Sequence, residues 1–120
     1  MITKINIAEK FSQIREYWVP YIAADVNEFQ IKFDKLKGEF VWHRHENEDE
    51  LFLVVKGQMR MKLRDGDVMV NAGEMIVIPH GVEHCPSSEE EVHVILFERG
   101  TTVNTGNVRD ERTLTTLERV

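Results

Sequence analysis

Three histidines and one glutamate in this sequence stand where a metal ion would want them. His43 and His45 are two residues apart, a spacing that sends both side chains off the same face of an extended strand. Glu50 follows after a short loop at the start of the next apolar run, so a hairpin would bring all three together. His84 lies beyond a glycine-containing turn and is the kind of distant donor that completes a site only when the chain folds. Three imidazoles and one carboxylate suit a divalent Fe, Mn, Ni, Co, Cu or Zn ion. Such an ion in an octahedral shell keeps two positions for substrate, water or dioxygen, which is the chemistry of a metal-dependent enzyme acting on a small molecule.

Other candidates are weaker. Asp49 is an alternative carboxylate to Glu50, within an acidic loop, Glu46 to Asp49, that otherwise reads as solvated. His80, in Pro79-His80-Gly81, reads as a solvent-facing turn residue. His93 alternates with Val92 and Val94 in a late strand; it reads first as a structural histidine and is the one further candidate for proton transfer. Cys85 neighbours His84 but leaves an extended segment in the opposite direction, as a core cysteine would. By the same alternation Phe40 and Trp42 face away from the histidines, towards a helix, the tail or a second subunit, and Phe52 reads as packing.

The elements that must position these residues are mostly short strands. Ile7, Phe11, Ile14 and Trp18 recur at helical spacing, with Asn6 and Glu9 placed like a capping box, so the spacing predicts a helix closed by Pro20. From Phe29 the period becomes two: Phe29, Ile31 and Phe33 alternate with Gln30, Lys32 and Asp34, the pattern of a half-buried strand with a wet face. Further strands are expected at Val41–His45, Leu51–Val55, Gln58–Leu63, Val68–Val70, Met75–Ile78 and Val92–Phe97. Turns are expected at Gly38, Gly57, Asp65-Gly66, Gly73, Pro79-His80-Gly81 and Pro86-Ser87-Ser88. Many short strands between regular turns mean a sandwich or barrel. The chain therefore divides into a helical segment, 1–24, a barrel, 25–100, and a polar tail, 101–120, that packs on the barrel or on a partner subunit.

A chain of 120 residues supports one hydrophobic core. Its net charge of -6, with acidic runs at Glu46–Glu50 and Glu89–Glu91, repels phosphate backbones and argues against nucleic acid as a partner. No apolar run is long enough for a membrane span, and the N-terminus lacks the features of a signal peptide, so a cytoplasmic address is expected. A single cysteine allows no internal disulfide.

The spacing Gly38-x4-His43-x-His45-x4-Glu50-x6-Gly57, and after 15 residues Gly73-x5-Pro79-x-Gly81-x2-His84, resembles the two motifs of the cupin superfamily. The first is one residue shorter between glycine and histidine than the usual pattern, and Ser88 stands where the second often ends in asparagine. The stretch from Asp49 to Val54, with Asn104-Thr105-Gly106 and Glu111-Arg112-Thr113 in the tail, is similar to a group of small single-domain bacterial cupins. The resemblance implies an all-β double-stranded β-helix, a jelly-roll barrel, with a short N-terminal helix and the metal near one mouth. It also implies ligation by His43, His45, Glu50 and His84, a cavity-facing residue near His93, and pairing into a homodimer. A four-ligand ion with two open positions puts oxygenase chemistry first and isomerase or lyase chemistry second, with no residue choosing between them; the competing class is a metal-containing module that binds or senses a small molecule without turnover.

Overall fold

The computed structural model describes residues 1–120. One short helix, α1 (Ile7–Ser12), precedes seven strands: β1 (Tyr21–Val26), β2 (Phe29–Glu39), β3 (Glu50–Lys56), β4 (Gln58–Leu63), β5 (Val68–Asn71), β6 (Met75–Ile78) and β7 (His84–Arg99). Every pairing between these strands is antiparallel. No helix is long and apolar enough to cross a membrane.

The long strand β7 organises the barrel. Its first residues pair with β4, Leu63 opposite His84 and Arg60 opposite Ser87. From Val92 on it lies between β2 and β3, with Val94 opposite both Asp34 and Val54. Strand β6 then adds to β3, and β5 to β4. The expected turn at Pro86-Ser87-Ser88 is therefore a strand, and the change of partners falls at the exposed Glu89 and Glu90. Inside lie Leu36, Phe52, Val54, Met59, Met61, Val70, Ile78, Val92, Val94 and Leu96. At the β3–β4 corner Gly57 has φ +89, and a Cβ there would stand 2.8 Å from the Glu91 carbonyl oxygen, so only glycine fits.

The start of the chain differs from expectation in two ways. Asn6 caps α1 by accepting from the Glu9 amide at 2.9 Å, as its spacing suggests. The helix nonetheless ends at Ser12, and Trp18 has φ +65. The Trp18 amide donates to Lys35 at 2.9 Å and its indole to the Lys37 carbonyl at 2.8 Å, so tertiary bonds take this residue out of the helix. Strand β1, which the spacing did not announce, begins directly after Pro20 and pairs with β2.

Strand β2 is covered on both faces. Ile31 and Phe33 lie outside the barrel wall under Phe11 and Ile14 of the N-terminal segment, with Phe11 stacked on Phe33 at 4.9 Å. Lys32, Asp34 and Leu36 are therefore the inward residues, and all three are buried. The reading of Lys32 and Asp34 as a wet face is corrected by this: the helix covers the apolar side, and the charged side closes over the interior.

Candidate metal centre

The His43-x-His45 segment is not a regular strand. It holds a single bridge to β7, in which the His43 amide donates to His84 at 3.0 Å and the His84 amide donates back at 2.9 Å. Alternation survives all the same, since His43 and His45 are buried while Trp42 and Arg44 are partly exposed. Other contacts supply what a ladder would have given. The Gly81 amide, at φ +82, donates to His45 at 2.7 Å, and the tail grips Arg44, whose carbonyl accepts from the Asn107 amide at 3.0 Å and whose amide donates to the Asn107 side chain at 2.8 Å. The tail thus packs on the barrel and holds two candidate ligands in place.

Four donor atoms, one from each of His43, His45, Glu50 and His84, lie within 4.8 Å of one another, and all four residues are buried. Two tautomers follow from geometry alone. His43 Nδ1 faces the Val41 carbonyl at 2.8 Å and His84 Nδ1 faces that of Val82 at 2.9 Å. A carbonyl only accepts, so each Nδ1 carries the proton and each neutral ring presents an Nε2 lone pair. These meet a carboxylate: Glu50 Oε1 is 3.2 Å from His84 Nε2 and 3.3 Å from His45 Nε2, and the latter nitrogen has no hydrogen-bond partner. Buried acceptors facing one another without a donor are costly, and a bound cation removes the conflict.

The electrostatics agree. Burial, reinforced by the charge of His84, pushes the His43 imidazole down to about 4, which keeps it neutral and able to ligate. Burial alone would raise Glu50, but the adjacent Glu98, with His45 and His84 in their proton-donating form, outweighs it and holds the carboxylate well below its ordinary range, a stabilisation that a bound cation would supply in their place. Asp34 and Glu98 go the other way, raised well above normal by burial and then by the charge of Glu50.

The other candidates are not brought to the cluster. His93 is on the opposite face of β7 from Val92, Val94, Leu96 and Glu98, stacked on Phe11 at 4.6 Å and hydrogen-bonded to Glu91 at 2.7 Å. Its expected place facing the cavity is corrected by that alternation. Asp49 is exposed and accepts from the amide of His80 at 2.8 Å, with the His80 ring at 2.9 Å, so both sit on the rim. The Cys85 thiol is buried and raised to about 11, chiefly by that burial. Phe40 also departs from expectation: it stands edge-on to His43 at 5.5 Å, stacks on Trp18 at 4.8 Å and walls the cavity, because no regular strand fixes its direction. Trp42 is covered by the Arg64 guanidinium at 3.8 Å.

A narrow cavity of about 30 Å³ reaches the cluster on its His43 and Glu50 side. Its walls include Trp18, Phe40, Phe52 and Leu96, and also Lys32, Asp34 and Glu98, which the sequence pattern did not single out. Lys32 and Glu98 form a buried ion pair at 2.8 Å. The cue is visible once register is known, for Lys32 stands opposite Leu96 and Asp34 opposite Val94 on β7, residues whose inward direction is clear.

Residues 32–110 match the Cupin domain family. The chain belongs to that family. Similar solved structures include a cupin-2 domain containing protein from Shewanella frigidimarina, 43% identical over 79% of this cupin and 93% of that chain, with a TM-score of 0.78. A Neisseria meningitidis protein is 34% identical over 82% of this cupin and 100% of its own chain, with a TM-score of 0.75. Among sequences, an uncharacterized Bacillus subtilis protein is 28% identical over 80 residues, 66% of this cupin and 71% of that protein. The 3-hydroxyanthranilate 3,4-dioxygenase of Xenopus tropicalis is 28% identical over 111 residues, which is 82% of this cupin but only 38% of the dioxygenase.

Proposed function

We propose that this cupin holds one divalent transition-metal ion, of Fe, Mn, Ni, Co, Cu or Zn, on His43, His45, Glu50 and His84, and uses it as an enzyme on a small molecule admitted to the barrel. The observation that carries the reading is the buried set of imidazole lone pairs turned onto a carboxylate beside a cavity. A metal there would supply Lewis acidity and exchangeable positions for an oxygen-bearing ligand. The chain's own part is to fix the two tautomers through Val41 and Val82, to keep His43 neutral, and to exclude bulk water with Trp18, Phe40 and Phe52. Oxygenase chemistry is the first class, supported by the distant dioxygenase relative, and isomerase or lyase chemistry is the second.

Elemental analysis of protein purified without an affinity tag tests the site: about one metal per chain is expected, falling sharply in His45→Ala and His84→Ala. Nitric oxide added anaerobically to the Fe(II) protein tests the open shell. A nitrosyl signal is expected, and full iron occupancy without one would sink the oxygenase reading.

We also propose that the chain pairs as a homodimer. Phe40 and Trp42 no longer motivate this, since Trp18, Arg112 and Arg64 cover them. The support is the outer face of β6, where Met75 and Val77 are 61% and 52% exposed beside Leu51 and Leu53 of β3.

A further inference from the structure

The proposed metal reading leaves three ionisable side chains inside the barrel without a task. Lys32, Asp34 and Glu98 line the same cavity as His43 and Glu50. Lys32 is 1% exposed, Asp34 7% and Glu98 3%. Burying them is costly, and the structure satisfies them only in part. The Lys32 ammonium donates to Glu98 Oε1, while Asp34 Oδ1 and Glu98 Oε2 are buried and receive no hydrogen bond, Glu98 lying against Glu50. An ammonium has three N–H donors, and the Glu98 contact occupies one. The wall therefore offers both unused donors and unused acceptors to whatever enters. A fold that wanted only stability would place apolar residues here, as it does at the neighbouring Leu36, Val94 and Leu96.

One chemical group answers both needs. A hydroxyl donates to an orphaned carboxyl oxygen and accepts from an ammonium. A carboxylate only accepts, so it could meet Lys32 but would have no proton to give Asp34 Oδ1 or Glu98 Oε2. The rest of the lining, Phe40, Phe52 and Leu96 among it, asks for a compact apolar body, and about 30 Å³ admits two or three water-sized groups before side chains move.

Building on the metal reading, we infer that Lys32, Asp34 and Glu98 form the specificity wall of the cavity and select a compact, uncharged, hydroxyl-bearing substrate over a carboxylate of the same size. Asp34 is the deciding member, because it has no ion-pair partner to lose. A site that binds an alcohol through buried polar groups rejects an analogue that leaves them unpaired.

The test uses the whole chain and three forms: wild type, Asp34→Asn and Asp34→Leu. In metal-free protein the thermal midpoint is read first. A specificity wall is a cost to the fold, so Asp34→Leu should raise the midpoint by several degrees. A fall would mean that Asp34 is structural and would overturn the proposal. Zinc-loaded protein is then titrated calorimetrically with 1,2-propanediol and with lactate. Wild type should favour the diol, Asp34→Asn should keep that preference within a few fold because its amide oxygen still accepts, and Asp34→Leu should weaken diol binding by at least ~10-fold. Diol binding unchanged in Asp34→Leu, or lactate preferred by wild type, overturns the proposal. Failure to take up zinc would refute the metal reading alone, and the direction of the midpoint shift would still decide the role of Asp34.

Discussion

Metal-free protein should lose stability on acidification through His43, joined below the ordinary carboxylate range by Glu50. Its imidazole is held at about 4 against an ordinary 6.5, first by burial and then by the charge of His84. Above pH 6.5 both folded and unfolded chains carry it neutral, and its contribution is complete. Between 6.5 and about 4 the unfolded chain takes up a proton that the folded chain refuses, so stability falls as pH falls. At about 1.4 kcal/mol for each tenfold change in proton affinity, the whole loss is about 3 kcal/mol. Two neighbours work against it. Asp34 and Glu98 are raised well above their ordinary values, so the folded chain keeps protons that the unfolded chain gives up, and their contribution grows as pH falls through the same window. The wild-type curve is thus a mixture, and the informative quantity is its difference from His43→Asn, whose amide can still donate to the Val41 carbonyl. Urea titrations of both proteins, without metal and at constant salt from pH 7.5 to pH 4, should give curves that converge by about 3 kcal/mol as pH falls. Parallel curves across that range would refute burial of a neutral His43.

Further outcomes follow from particular contacts. Zinc at about 100 times its dissociation constant should stabilise the fold by ~2.7 kcal/mol, read as a shift of the urea midpoint, and the gain should vanish in His84→Ala. Gly106→Ala should destabilise the protein by about 1–3 kcal/mol and weaken zinc binding in a direct titration, since Gly106 has φ +56 and its Cβ would press on the Arg44 backbone beside His43. Lys32→Met alone should cost ~3–5 kcal/mol by stranding Glu98, and adding Glu98→Leu should restore most of it, a double-mutant cycle read by urea denaturation. Sedimentation equilibrium at tens of micromolar should give twice the 14.0 kDa chain mass, reverting to the single mass in Val77→Glu.

The four donors of the candidate centre were legible because their spacing carries the information. His43, His45 and Glu50 meet through a short loop, and His84 needs only the bend at Gly81, with φ +82, to reach them. Strands β4 and β6 were legible to the residue from alternation and flanking turns. What failed was local pattern where tertiary bonds prevail. Trp18 keeps helical spacing with Ile14, yet its amide and indole are both claimed by β2. Pro86-Ser87-Ser88 has turn composition, yet pairing to β4 and to Gly38 and Glu39 draws it into β7.

The polar wall of the cavity was the largest omission, and its cause is specific. Alternation in β2 says that Phe29, Ile31 and Phe33 share a face, but it does not say which face is inside. The usual default sends the apolar face inward and the charged face to water. Here the N-terminal segment inverts that default, because Phe11 and Ile14 must themselves be buried and find Phe33, Ile31 and Ile95 on the outer surface of the sheet. An outer face made apolar for a helix forces the alternate residues of the same strand into the barrel. An amphipathic helix leading into a strand with apolar alternation is therefore a reason to search the strand's charged face for the site. In this chain that search leads straight to Lys32 and Asp34.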